Sequence, residues 1–331
     1  MTRVLIICGR PNNIGGIQRI CKAQEQVLPE STMVKSDSIA HLTRSLLKSG
    51  KANKEVTVLL HGFSDRIILR FQLAAAFARF FGVRPRVIWQ PHYHPFCYHK
   101  YPLLARLFFL LVERRLLSSC RKCILISPAE RDFFARFAPT SKLSVITNPM
   151  MMETPLQRLE EGDMPGVVPR GRFVLFVGRD RPNKQLARLI KLAPVFEKEK
   201  FKVVVVSDAA EALPAAWHVH VRLSDCQLRQ LYRRAEAVLI PSNWEAFSLA
   251  AAEALFQGTP AIVSAGVMLR HILSEEFGLV VSDFSPDDMT RHLRKLASYK
   301  ELANKSCDQL KEKLSMARYA EDLNAAIQSW S

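Results

Sequence analysis

A chain of 331 residues is long enough for two domains, each with its own core. With 48% apolar and 24% charged residues it has the make-up of an ordinary globular protein, which excludes a disordered or fibrous chain. Its net charge of +16 is lopsided: residues 1–150 hold 23 Lys and Arg against 8 Asp and Glu, while residues 151–331 hold 24 against 23, so the first half is expected to face something anionic.

In chain order, "RVLIIC" (3–8) is a short apolar, β-branched run ending at a turn-rich loop, and it predicts a strand. A helical pattern over 17–28 follows, then strands at "EVTVLLHGF" (55–63), "RPRVIWQPH" (84–92) and "KCILIS" (122–127), with helices over 66–81 and 102–118 between them. The second half repeats the scheme with "RFVLFVGR" (172–179), "FKVVVVSD" (201–208), "EAVLIPS" (236–242) and "TPAIVS" (259–264). The tail 316–331 again has helical spacing. Continuous apolar strands alternating with helices predict parallel sheets covered on both faces, and two such runs predict an α/β protein of two doubly wound, Rossmann-like domains. The join is expected near residues 149–166, where Pro, Gly and acidic residues cluster. Ligands in such folds lie beyond the carboxyl ends of the strands, so the chemistry is expected in residues 9–19, 61–65, 90–99, 178–185 and 242–253.

One stretch there poses a question. "NWEAFSLAAAEALFQGTPAIV" (243–263) keeps Glu245 and Glu253 in an otherwise small and apolar run. Buried carboxylates cost several kcal/mol each unless hydrogen-bonded. Either the segment lies at a surface, with Glu245 favoured by a helix dipole, or a ligand supplies the donors.

That stretch, within "PSNWEAFSLAAAEALFQGTPAIVS", resembles glycosyltransferase family 4, whose pattern runs Pro-Ser, Glu, a Phe-containing turn, a second Glu and Gly-Thr-Pro. "VGRDRPNKQLARLI" (177–190) is similar to the family's Arg and Lys after the first strand of the second domain, at Arg179 and Lys184. "GGIQRI" (15–20) resembles its Gly-Gly loop, and "VITNP" (145–149) the segment closing its first domain. The resemblance covers most of the chain in the expected order. It implies the GT-B fold: a Rossmann-like acceptor domain (1–150), a nucleotide-sugar domain (151–315) facing it across a cleft, and a terminal helix (316–331) returning to the first.

It also implies a retaining, metal-independent transfer of a sugar from a nucleoside-diphosphate sugar, uridine ahead of guanosine, to a saccharide or lipid-linked saccharide. No cofactor and no metal are expected, since no Asp-x-Asp pair is present. Arg179 and Lys184 would stabilise the charge growing on the diphosphate. Backbone amides at Phe247, Ser248 and Leu249 would contact the diphosphate or sugar. Glu245 would bind donor-sugar hydroxyls and Glu253 the ribose. Gly15 and Gly16 would let the backbone approach the ligand, and His92, ahead of His94 and His99, would stabilise the leaving group or orient the acceptor. The role of His61 is left open. On a front-face displacement no protein nucleophile is needed. The chain departs from the family at Ala246 and Ser248, where Gly is common, at Arg270 and His271, where many members carry a Glu, and in 221–227, where a glycine is missing.

Residues 66–86 and 98–122 are basic and apolar together. They are either buried helices or a face for anionic lipid, which would suit assembly of lipopolysaccharide or another cell-surface polysaccharide at the inner face of the cell membrane. "MTRVLIICGRPNN" does not resemble a signal peptide, and no charge-free apolar run reaches the roughly 18 residues needed to span a bilayer. Seven cysteines at irregular spacing suggest a reducing compartment, and Cys120 and Cys123 lack the second pair of a zinc site. A cytoplasmic protein is expected. The alternatives are a basic nucleic-acid-binding protein, for which no module or aromatic-basic interleaving is present, and an epimerase or inactive scaffold on the same fold.

Overall fold

The computed structural model describes residues 4–8, 16–51, 54–62, 65–92, 103–150, 168–208 and 213–328. The chain forms two compact units, Met1–Met151 with Ser315–Ser331, and Met152–Leu314.

The first unit is built on a six-stranded parallel sheet of β1 (Val4–Cys8), β2 (Ser31–Lys35), β3 (Glu55–His61), β4 (Arg84–Gln90), β5 (Lys122–Leu125) and β6 (Leu143–Val145), in the order β2-β1-β3-β4-β5-β6. Its helices are α1 (Gly16–Val27), α2 (Ile39–Ser49), α3 (Asp65–Phe80), α4 (Leu103–Ser119) and α5 (Pro128–Phe134). Side chains alternate across a strand, and the sheet shows it residue by residue. Val4, Ile6, Cys8, Leu59, Ile88 and Ile124 face one way, onto Cys21 of α1 and onto Tyr319, Leu323 and Ala326 of the C-terminal helix Met316–Gln328. Leu5, Ile7, Val58, Leu60, Val87, Trp89 and Leu125 face the other, onto Leu42, Phe71, Leu116 and Phe134 of α2 to α5. Both faces are covered, which is why these strands read as unbroken apolar runs.

The second unit repeats this with β7 (Phe173–Val177), β8 (Lys202–Val206), β9 (His218–His220), β10 (Ala237–Ile240), β11 (Ala261–Ser264) and β12 (Leu279–Ser282), in the order β12-β11-β10-β7-β8-β9. The helices next to its site are α6 (Leu186–Lys191), α7 (Ala193–Lys198), α8 (Asp225–Arg234) and α9 (Leu249–Phe256). The order reverses between β7 and β10, which pair directly. The loops leaving these two strands therefore diverge over a crevice at their carboxyl ends, where open sheets of this kind bind ligands. They are residues 178–185 and 241–248, and they contain Arg179, Lys184, Glu245, Phe247 and Ser248.

Four strands have no counterpart among the runs read from the sequence: β2, β6, β9 and β12. They are the four sheet edges.

Candidate functional site

In the second unit, Gly178 ends β7 by donating its backbone N–H to Val206 O at 3.0 Å. A Cβ here would crowd the Phe176 ring at 3.3 Å and touch the Lys184 stem at an ordinary contact distance of 3.7 Å. Asn183 then ties the two loops together. Its carbonyl accepts from Asn243 N at 2.9 Å, and its Nδ2 donates to Trp244 O at 3.2 Å. Arg188 of α6 adds a second tie, donating to Pro241 O at 3.3 Å and Asp283 O at 2.6 Å.

So fixed, Lys184 Nζ lies 2.8 Å from Glu245 Oε1, and Ser242 Oγ donates to the same oxygen at 2.5 Å. Glu245 is held from its backbone as well: its N–H donates to Gly266 O at 3.0 Å and its carbonyl accepts from Met268 N at 2.9 Å. Gly266 is obligatory here, because a Cβ would collide with the Asn243 carbonyl.

Ser248 begins α9 with φ 74° and ψ 85°, a left-handed conformation that glycine adopts without penalty. The position where the family carries Gly is thus one that asks for it. The Ser248 Oγ is buried and meets no hydrogen-bond partner among the described residues. The α9 ladder starts with Ala252 N donating to Ser248 O at 3.1 Å, so the amides of the first turn point past the helix start. The helix begins at Leu249, which puts Glu253 in its second turn. Glu253 is buried, and Tyr232 OH of α8 donates to its Oε2 at 2.8 Å.

The chain itself therefore supplies donors to both carboxylates. These partners are a third source of donors, beside the surface water and the ligand weighed from the sequence. Tyr232, Ser242 and Asn183 were not singled out in the sequence. Tyr232 carried a usable signal, as an aromatic residue in the polar helix "DCQLRQLYRR", since a buried tyrosine needs a partner for its hydroxyl.

Lys184 and Glu245 are in contact, and Phe247, Ser248 and Leu249 follow Glu245 closely in sequence. Arg179 is exposed beside Asp208, whose carboxylate accepts from Asp180 N at 2.7 Å and lies below the usual range chiefly because of that bond. In the first unit, Gly16 opens α1, and His92 follows β4, buried, at φ 51°. Burial pushes the His92 imidazole down to about 3, so it is neutral at pH 7. Gly15, His94 and His99 lie outside the described residues.

Residues 164–313 match the family "Glycosyl transferases group 1". The chain is 27% identical over 189 residues to YqgM of Bacillus subtilis, described as an uncharacterised glycosyltransferase, covering 53% of this chain and 51% of that one. It thus spans about half the length of that relative. Among solved structures, Anabaena Alr3699/HepE in complex with UDP and glucose superposes with a TM-score of 0.75 at 11% identity, covering 99% of this chain and 100% of that one. The lipopolysaccharide outer core galactosyltransferase WaaB superposes with a TM-score of 0.66 at 16% identity, over 100% of both chains. The fold is GT-B, with two Rossmann-like α/β units.

Proposed function

We propose that this protein is a retaining, metal-independent glycosyltransferase of family 4, moving a sugar from a nucleoside-diphosphate sugar to a saccharide or lipid-linked saccharide. The observation that carries the reading is the Lys184–Glu245 contact, 2.8 Å long, at the reversal point of the second sheet and beside the start of α9. It lies inside the segment matching the glycosyltransferase family.

The chemistry follows from the residue types. As the anomeric C–O bond breaks, charge grows on the β-phosphate, and Lys184 with Arg179 and the first amides of α9 oppose it. The acceptor oxygen bonds to the anomeric carbon on the same face, and its proton passes to the departing phosphate. Glu245 then binds sugar hydroxyls and Glu253 the ribose.

A face on the first unit supports a lipid-linked acceptor. Leu69, Leu73 and Phe77 of α3, Phe80 and Phe81 at its end, and Leu107, Phe108 and Leu111 of α4 are exposed, so at these positions the helices are not simply buried. Arg70, Arg79 and Arg84 lie on or just after α3, and Arg114 and Arg115 on α4. Each basic residue near anionic lipid contributes about 1 kcal/mol. No described helix is long and apolar enough to cross a membrane. The reading is therefore of a protein lying against the inner face of the cell membrane, in lipopolysaccharide or other cell-surface polysaccharide synthesis. WaaB, which shares the fold, is named for lipopolysaccharide.

The test is a thermal-shift panel of nucleotides, followed by mass spectrometry of donor hydrolysis across uridine, guanosine and adenosine sugars. A nucleoside diphosphate should stabilise the protein, and Lys184→Ala should abolish the effect. Stabilisation by single-stranded nucleic acid alone would instead favour the nucleic-acid reading.

A further inference from the structure

A chain of buried side-chain hydrogen bonds runs through the first unit and ends at His92. Gln24 of α1, His61 at the end of β3, Gln90 at the end of β4, His92 and Tyr319 of the C-terminal helix are all at most 7% exposed. His92 Nε2 lies 2.8 Å from His61 Nδ1, and His61 Nε2 lies 2.6 Å from Gln24 Oε1. Gln24 Nε2 donates to Gln90 Oε1 at 2.9 Å and to Tyr319 OH at 2.8 Å.

The polarity of this chain follows from the Gln24 amide, whose oxygen faces His61 and whose nitrogen faces Gln90 and Tyr319. An amide oxygen only accepts, so His61 must carry its proton on Nε2. A neutral imidazole has one N–H, so His61 Nδ1 accepts, and the proton between the rings belongs to His92 Nε2. His92 is then left with a lone pair on Nδ1. Both rings are neutral, since burial disfavours either cation.

We propose that Gln24 and His61 are positioning residues that lock His92 in its Nε2–H tautomer, so that the ring offers substrate a lone pair at Nδ1 and not an N–H. Such a nitrogen takes a hydrogen bond from a hydroxyl and cannot donate one to a phosphate oxygen. It selects, between the two roles open to His92, the orienting of a sugar or acceptor hydroxyl over stabilisation of the leaving phosphate. That Nδ1 meets substrate rests on the transferase reading. The tautomer does not.

The left-handed backbone at His92 fits this task. With φ at 51°, its ring lies edge to edge with that of His61, centroids 5.1 Å apart and planes only 22° from parallel, as an in-line N–H···N bond requires. A strained residue that its surroundings hold in place is what a preorganised group requires.

The experiment is two-bond 1H–15N correlation spectroscopy of the full chain, labelled at the histidine ring nitrogens, at neutral pH. His61→Gln and His92→Gln assign the signals. Both rings should be neutral with the proton on Nε2. A proton on Nδ1 of either ring, or a cation at either, overturns the proposal.

Gln24→Glu keeps the shape and turns the amide donor into a second acceptor. Tyr319 OH can turn to donate to it, and Gln90 can present its Nε2, which is buried without a partner among the described residues. The carboxylate should draw a proton onto His61, whose Nδ1–H then donates to His92 Nε2 and drives the His92 proton to Nδ1. With the wrong tautomer, kcat should fall roughly a hundredfold or more while the donor KM changes little. An unchanged His92 spectrum in a folded Gln24→Glu protein overturns the lock. Should that variant not fold, Tyr319→Phe, which removes only a hydroxyl beyond Gln24, should leave both tautomers in place, and a shift of either one overturns it. Wild-type protein with the expected tautomers and no stabilisation by uridine or guanosine diphosphate would remove the transferase reading and leave the tautomer assignment standing.

Discussion

Lys184 Nζ and Ser242 Oγ converge on one oxygen of Glu245, at 2.8 and 2.5 Å, from the loops that follow β7 and β10. The lysine that would meet a diphosphate is thus already paired with the carboxylate that would meet the sugar. A donor must break or share that pair.

Glu245→Gln should therefore leave nucleoside-diphosphate affinity unchanged or raise it severalfold, because Lys184 loses its competitor. Transfer should fall at least about a hundredfold with the loss of a charged partner for the sugar. Lys184→Met should remove diphosphate binding and cost about 1–3 kcal/mol of stability, since a buried Glu245 loses its cation. Isothermal titration and urea melts measure the two effects.

Glu253 and Tyr232 predict a second split. Glu253→Gln keeps the shape but weakens a bond to a ribose hydroxyl by about 1.5–3 kcal/mol, or roughly 10- to 100-fold in affinity. A 2′-deoxy donor should lose a similar factor against the wild type and little more against the variant. Additive losses in that cycle would place Glu253 away from the 2′-hydroxyl.

Ser248 sits at φ 74° with a buried hydroxyl that meets no partner among the described residues. Ser248→Gly should raise stability by about 1 kcal/mol and Tm by about 2–4 °C, because glycine adopts this conformation without a Cβ clash. Donor affinity should fall if the hydroxyl meets the ligand. Differential scanning calorimetry with and without nucleotide gives both readings.

The buried histidines set a pH dependence. His92 is pushed from its ordinary 6.5 to about 3 by burial, and His61 well below 6.5 by burial and by His92 beside it. Between about pH 6.5 and pH 3 the unfolded chain binds a proton at His92 that the folded chain does not, and His61 acts in the same direction. Their contribution is thus complete above pH 6.5 and is lost as the pH falls through that window. The slope approaches about 1.4 kcal/mol per pH unit for each ring. Urea melts at pH 7, 6 and 5 should show it, and His92→Gln should flatten it.

Much of this was legible in the linear chain. The strands at 3–8, 55–63, 84–92, 122–127, 172–179, 201–208, 236–242 and 259–264 became the inner strands of two sheets, because a strand covered on both faces must be apolar at every position. Two of the four edges, β2 and β9, were not legible for the converse reason, whereas β12 ("LVVS") is mostly buried and apolar but only four residues long. "STMVK" and "HVH" are mostly half-exposed or exposed, so no continuous run marks them, and only pairing with a neighbour makes them strands. The spacing of Lys184, Glu245 and Glu253 likewise pointed to a site, since loops after successive strands of such a sheet must end on one side.

Tertiary structure alone decided what each of these groups touches. Tyr232 is 21 residues from Glu253, Gln90 is 66 from Gln24, and Tyr319 is 295 from Gln24. Sequence patterns report the neighbours along a helix or strand. Hydrogen bonds across such separations depend on how helices and strand ends are packed together, and a buried polar atom takes whichever partner that packing brings within 3 Å.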